Sequence, residues 1–137
     1  MNSSNEEEKP PRLKLRITSA PKIRQVLWCS YPKDAQLPEF WKKRPVIVIS
    51  RNTPLYGPCT VIPTTTFAQP ANKFAYPLSD ELVKGKISWA VCNHISTIAT
   101  SRLEPFNEGV IRVSEDDFAE VLSRLYDWLP QKRLPLT

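Results

Sequence analysis

Residues 42–50 read KKRPVIVIS: a basic cluster gives way at Pro45 to an unbroken apolar run that stops at Ser50. The run is too short for a helix, and Val46, Ile47, Val48 and Ile49 are all β-branched, which marks a strand buried on both faces. Such a strand belongs inside a sheet. Downstream, Asn52-Thr53-Pro54 and Gly57-Pro58 signal turns, and Cys59-Thr60-Val61-Ile62-Pro63 follows as an antiparallel neighbour expected to end at its proline. Upstream, Val26-Leu27-Trp28-Cys29-Ser30-Tyr31 reads as a first strand that stops at Pro32, with Lys33 to Lys43 as a loop.

An edge strand near Phe74 to Leu78, then Ile87 to Cys92 and Ile95 to Ile98 on either side of Asn93-His94, bring the expected total to five or six. Ser114 caps a helix expected over about residues 115–129. Phe118, Val121, Leu122, Leu125 and Leu129 recur there at helical spacing, and Glu115, Asp116 and Asp117 complement the dipole in the first turn. The expected fold class is therefore mainly β with a C-terminal helix: a small curled sheet closed by that helix. The expected organisation is a flexible arm over residues 1–23, one domain over 24–130, and a tail over 131–137.

With 137 residues the chain has room for one ordinary core, and 14 prolines against 3 glycines imply many rigid corners. The apolar runs fall far short of the roughly 20 residues a membrane helix requires. The opening MNSSNEEEKPPR carries acids where a secretory signal has basic and apolar residues, so a cytoplasmic location is expected. Cys29, Cys59 and Cys92 are odd in number and widely spaced, which argues against a disulfide framework or a structural zinc site and for small core thiols. A net charge of +5 is permissive for a polyanionic ligand and excludes little.

Two clusters could carry chemistry. Lys42-Lys43-Arg44 immediately precedes the central strand, and Thr64-Thr65-Thr66 immediately follows its presumed neighbour. Antiparallel pairing brings them to one end of the sheet, where a guanidinium and a hydroxyl can converge on a phosphodiester. RNA carries its own nucleophile in the 2′-hydroxyl, so orientation and charge stabilisation suffice to cleave it, with no cofactor required. On chemistry alone a solvated strand end beside a threonine turn is the commoner reading of such clusters. Trp41 lies in the loop and is the better candidate for stacking on a base, whereas Trp28, Trp89 and Trp128 read as core.

The segments VLWCSYP (26–32), KKRPVIVIS (42–50), VIPTTT (61–66) and SWAVCNHISTIATSRL (88–103) resemble, in order and spacing, the motifs of MazF/PemK toxins. The resemblance implies an SH3-like barrel, usually homodimeric. It also implies an endoribonuclease that cuts single-stranded RNA to leave a 2′,3′-cyclic phosphate and a 5′-hydroxyl, held in check by a cognate antitoxin. Arg44 matches the family's catalytic arginine and Thr65 its catalytic threonine. Glu39 falls where some members place an acid, and it is the first candidate for the general base. Lys42, Lys43, Thr64, Thr66 and Trp41 would then line the RNA path. Asn93-His94 would join them, standing where the family often has Asp-Gln. His94 is the sole histidine, so a two-histidine acid/base scheme is not available within one chain.

Other outcomes remain open at this point. The same barrel can serve a non-enzymatic toxin acting on a protein target, as CcdB-like gyrase inhibitors do, or an RNA-binding module that no longer cleaves. Retention of Arg44 and Thr65 together favours the nuclease.

Overall fold

The computed structural model describes residues 8–106 and 111–132. Among them, seven strands form one antiparallel sheet: β1 (Val26–Ser30), β2 (Lys43–Val48), β3 (Pro58–Thr65), β4 (Ala75–Pro77), β5 (Trp89–Val91), β6 (Ser96–Ala99) and β7 (Leu103–Pro105). One helix, α1 (Glu115–Trp128), follows them. The strand order is β4-β5-β3-β2-β1-β7, with β6 also paired to β3.

β2 is the buried centre the sequence calls for, with Val46, Ile47 and Val48 all at 0% exposure. Its side chains alternate between two cores, as the period of a strand requires. Ile47 joins Val26, Ile62 and the Phe118, Val121 and Leu125 stripe of α1, while Val46 and Val48 pack with Leu27, Cys29, Cys59, Val61 and Leu103. Burying each such aliphatic or aromatic side chain contributes about 1.5–3 kcal/mol before conformational entropy is charged. The helix begins where expected: the Ser114 hydroxyl accepts the backbone N–H of Asp117.

β3 does not end at Pro63. β6 pairs with Pro58 to Val61 and β5 with Thr64 and Thr65, so Pro63 falls in the gap between two partners on that edge. A proline, lacking an N–H, is tolerated where the ladder is already interrupted. The path of the sheet stays open: among the described residues no pairing joins the three-residue edge strands β4 and β7, so the hydrogen-bonded barrel expected from sequence is not closed. β7 itself is a strand the sequence did not announce, because Leu103-Glu104-Pro105 is too short to show alternation.

Within the expected arm of residues 1–23, residues 1–7 lie outside the described chain. Further along, Ile17 is buried against Leu27 and Cys29, and Arg16 pairs with Glu104. Of the expected tail, residues 133–137 lie outside the described chain. Trp128 departs from its expected core role: it is 49% exposed and meets Phe74 edge-on at 5.1 Å, because it lies in the last turn of α1, beyond the buried Leu125. No helix among the described residues is long and apolar enough to cross a membrane.

Candidate functional site

The loop between β1 and β2 ends in Phe40-Trp41-Lys42, and Lys42 takes a φ of 73°. That left-handed backbone is uncommon for a residue with a side chain and turns the chain sharply into Arg44. Arg44 lies opposite Cys29 of β1 and is partly buried. Its Nε donates to the Trp41 carbonyl at 2.8 Å, and its guanidinium lies over the rings of Phe40 at 4.5 Å and Trp41 at 5.6 Å. Among the described residues nothing accepts from its two terminal nitrogens, so the fork is held by one nitrogen and two rings and left open at the other end. Partial burial lowers its proton affinity, and the neighbouring Tyr31 opposes this.

The pairing of β2 with β3 ends with Val46 opposite Pro63, and Arg44 and Thr65 each lie two residues beyond it, at the same end of these neighbouring strands. The hydroxyl of Thr64 confirms how close the strands remain, since it donates to the Pro45 carbonyl at 2.8 Å. Thr65 is nearly buried, at 9% exposure, and its Oγ1 accepts the Phe67 N–H at 3.1 Å. That bond fixes the side chain while leaving the hydroxyl proton without an acceptor among the described residues. The arginine fork and the threonine proton are thus two donors left without an acceptor among the described residues at this end of the sheet.

The other expected residues divide into those that are free and those already engaged. Thr64 is buried and turned to the opposite face, its proton taken by Pro45, so it does not join Arg44 and Thr65. Lys43 pairs with Glu104 and covers the Trp28 ring, which binds it to the sheet. Asn93 Oδ1 accepts from the Asn72 amide at 3.1 Å, a contact that fixes the loop before β4. Lys42, Trp41 and Thr66 are exposed. Glu39 is exposed too, with Oε1 accepting the Gln36 N–H at 2.8 Å in a local turn. His94 faces the same loop, its Nε2 3.2 Å from the Pro38 carbonyl oxygen.

Phe40 is the residue that sequence reasoning missed. Its ring carries Arg44 and also packs against His94, with ring centroids 4.6 Å apart, so it joins the two halves of the site. An aromatic beside Trp41 in an otherwise polar loop was the available signal. Tyr31 and Ser96 also line this region, and only the fold could bring them together. Among the described residues no group of three His, Cys, Asp or Glu side chains could hold a metal ion.

The sequence model of the PemK-like, MazF-like toxins of type II toxin-antitoxin systems matches residues 22–129. The chain belongs to this family. No curated protein matches it in sequence. Among solved structures it is similar to MazF from Deinococcus radiodurans, with a TM-score of 0.62 and 19% identity over 80% of this chain and 96% of that one. It is similar as well to an endoribonuclease of a mycobacterial species in complex with its cognate antitoxin, with a TM-score of 0.60 and 16% identity over 82% of this chain and 100% of that one. Mycobacterium tuberculosis toxin MazF-mt6 gives a TM-score of 0.57 and 18% identity over 77% of this chain and 95% of that one. At these identities the likeness concerns the fold.

Proposed function

We propose that this toxin-family chain is an endoribonuclease that cleaves single-stranded RNA by attack of its 2′-hydroxyl, without a metal. The observation that supports the reading is that two unsatisfied donors, the open fork of Arg44 and the free proton of Thr65, lie at the same end of the neighbouring strands β2 and β3. The planar fork suits two phosphate oxygens at once, and its fixed Nε bond and aromatic bed lower the cost of reorganising it during reaction. Thr65 orients the phosphate by donating to a second lone pair of one of these oxygens.

In the step itself the 2′-oxygen bonds to phosphorus and loses its proton, and the 5′-oxygen departs and gains one. The products are a 2′,3′-cyclic phosphate and a 5′-hydroxyl. In this reading Arg44 stabilises the charge on the pentacoordinate phosphate and protonates the leaving oxygen, a role its lowered proton affinity assists. Glu39 is the proposed general base: one carboxylate oxygen is taken by Gln36, and the other has no partner among the described residues. Lys42, Trp41 and Thr66 extend the exposed path for the chain on either side.

A cognate antitoxin is the proposed partner. The mycobacterial relative is solved with its own, and an acidic segment laid over Lys42 and Arg44 would block the same donors. The family resemblance carries a homodimer and a cytoplasmic location into the proposal as well. The test is turnover of a mixed-sequence single-stranded RNA in EDTA by wild type, Thr65→Ser and Thr65→Ala. Cleavage kept by serine and lost by alanine supports the reading, while intact RNA with demonstrably folded wild type sinks it.

A further inference from the structure

Of the tryptophans in the chain, Trp28 packs on Phe106 at 5.0 Å, Trp128 on Phe74 at 5.1 Å, and Trp41 lies under the Arg44 guanidinium at 5.6 Å. Trp89, which the sequence reads as core, joins neither of the two cores. Among the described residues it meets no aromatic ring and no cation, and its side chain is partly exposed. Tryptophan is a highly buried residue on average because of its large apolar surface, so one that stands apart from both cores calls for another partner.

Its place in the sheet says which. β5 sets Trp89 opposite Thr65 of β3 on one side and opposite Pro77 of β4 on the other. Register partners in antiparallel pairs share a face, so these three side chains form one row. The adjacent row of Thr64, Ala90 and Tyr76 takes the opposite face, where Ala90 packs with Phe118, Val121 and Leu125 of α1 and Tyr76 donates to Asp117. The row of Thr65 therefore faces away from the helix and ends at the exposed Pro77 on β4, the last strand of the sheet path. Phe67 adjoins the same threonine. Its ring is 77% exposed on a backbone tied at both ends, the N–H donating to Thr65 Oγ1 at 3.1 Å and the carbonyl accepting from the Gln69 amide at 3.2 Å.

We propose that Trp89 and Phe67 form a stacking platform for the unpaired bases next to the phosphate held at Thr65. The inference rests on the RNA substrate proposed above and names the residues that hold its bases on the β5 side, as Trp41 stands beside Arg44 on the other. Every base has a π-face, so such a platform tolerates sequence. It also selects single strands, because the bases of a duplex already stack on one another and present no free face.

The experiment reads binding apart from cleavage. Its probe is a labelled short 2′-O-methyl oligomer, which lacks the nucleophile, spanning a site at which the full chain cuts mixed-sequence RNA. Its control is an abasic sugar-phosphate oligomer of the same length. By fluorescence anisotropy, Trp89→Leu and Phe67→Leu should each weaken the base-bearing oligomer at least about fivefold, the low end of what one stacked base contributes, while Trp89→Phe stays within about twofold of wild type. The abasic oligomer should bind wild type and both leucine variants equally, since it keeps the phosphates and lacks the faces. In addition, 2-aminopurine placed at each position in turn should lose fluorescence at adjacent positions when the wild-type chain binds, a readout that decides by itself where a thermal melt shows a variant unfolded. Wild-type affinity in either folded leucine variant, a loss equally large with the abasic oligomer, or 2-aminopurine left bright at every position overturns the proposal. With mixed RNA still cut, such a result removes the platform alone. If the folded chain cuts no RNA, the nuclease reading has failed and the platform falls with it.

Discussion

On the proposed reading, replacing Arg44 separates catalysis from stability, because the two jobs fall to different atoms of its side chain. Arg44→Ala removes one hydrogen bond to the Trp41 carbonyl and two ring contacts, on a partly exposed side chain. Partly exposed cation–π contacts contribute about 0.5–1 kcal/mol each and the bond about as much again, which after solvent screening leaves a loss of about 1–2 kcal/mol. In a domain of this size that lowers the melting temperature by about 3–8 °C and leaves the fold intact. Cleavage, by contrast, should fall by at least about 10³-fold if the fork supplies the charge the transition state needs, as proposed. Arg44→Lys is the sharper comparison. It keeps the charge but loses the planar fork and the Nε bond, so it should recover most of the stability and little of the activity. The assays are thermal unfolding by circular dichroism and single-turnover cleavage of a labelled RNA. A folded Arg44→Ala chain with wild-type turnover, or an Arg44→Lys chain with full activity, would refute the reasoning.

Asp117 is 2% exposed and accepts Tyr76 Oη at 3.1 Å, Ser79 N at 2.9 Å and Ser79 Oγ at 2.8 Å, tying α1 to β4 and the residues that follow it. Asp117→Ala strands those donors and should cost about 2–4 kcal/mol, read from the urea midpoint. Glu104 is held below its ordinary carboxylate range, first by its bond to Lys43 and then by Arg16. A depressed native value means the unfolded chain takes up the proton first. The stabilisation is therefore complete above the unfolded value of 4.5 and is lost as pH falls through the native one. Wild type should exceed Glu104→Gln by under about 1 kcal/mol at neutral pH, and the gap should close in acid and in high salt. Burial pushes the thiols of Cys29 and Cys92 up to about 12 and raises that of Cys59. None should react with an aromatic disulfide reagent at about pH 8 until the chain is unfolded.

Much of the fold was legible because its decisive signals are local. The β-branched run at Val46 to Ile49 marks the sheet centre, and Ser114 with the Phe118, Val121 and Leu125 stripe marks the helix. What escaped depends on partners distant in sequence. Pro63 reads as a stop until β5 and β6 are seen to divide the edge of β3 around it. Leu103 to Pro105 becomes a strand only by lying against β1. The same distinction holds at the site. That Arg44 and Thr65 come to the same end of two adjacent strands was legible from the clusters flanking them, and the antiparallel pairing of β2 with β3 agrees with it. Thr64 was not separable from Thr65 by composition. Only the alternation of the strand sends one hydroxyl to Pro45 and leaves the other free to donate. The approach of Ser96 to Tyr31 was out of reach, because the two meet only through the fold.

The central claim is that the RNA's own 2′-hydroxyl is the nucleophile, positioned by Arg44 and Thr65. The most direct measurement is end analysis of fragments from a mixed-sequence single-stranded RNA incubated with the purified chain in EDTA, beside the same RNA 2′-O-methylated at the cleaved position. A 2′,3′-cyclic phosphate and a 5′-hydroxyl, with the methylated RNA left whole, are the expected result. Fragments bearing a 5′-phosphate, or equal cleavage of the methylated RNA, would contradict it.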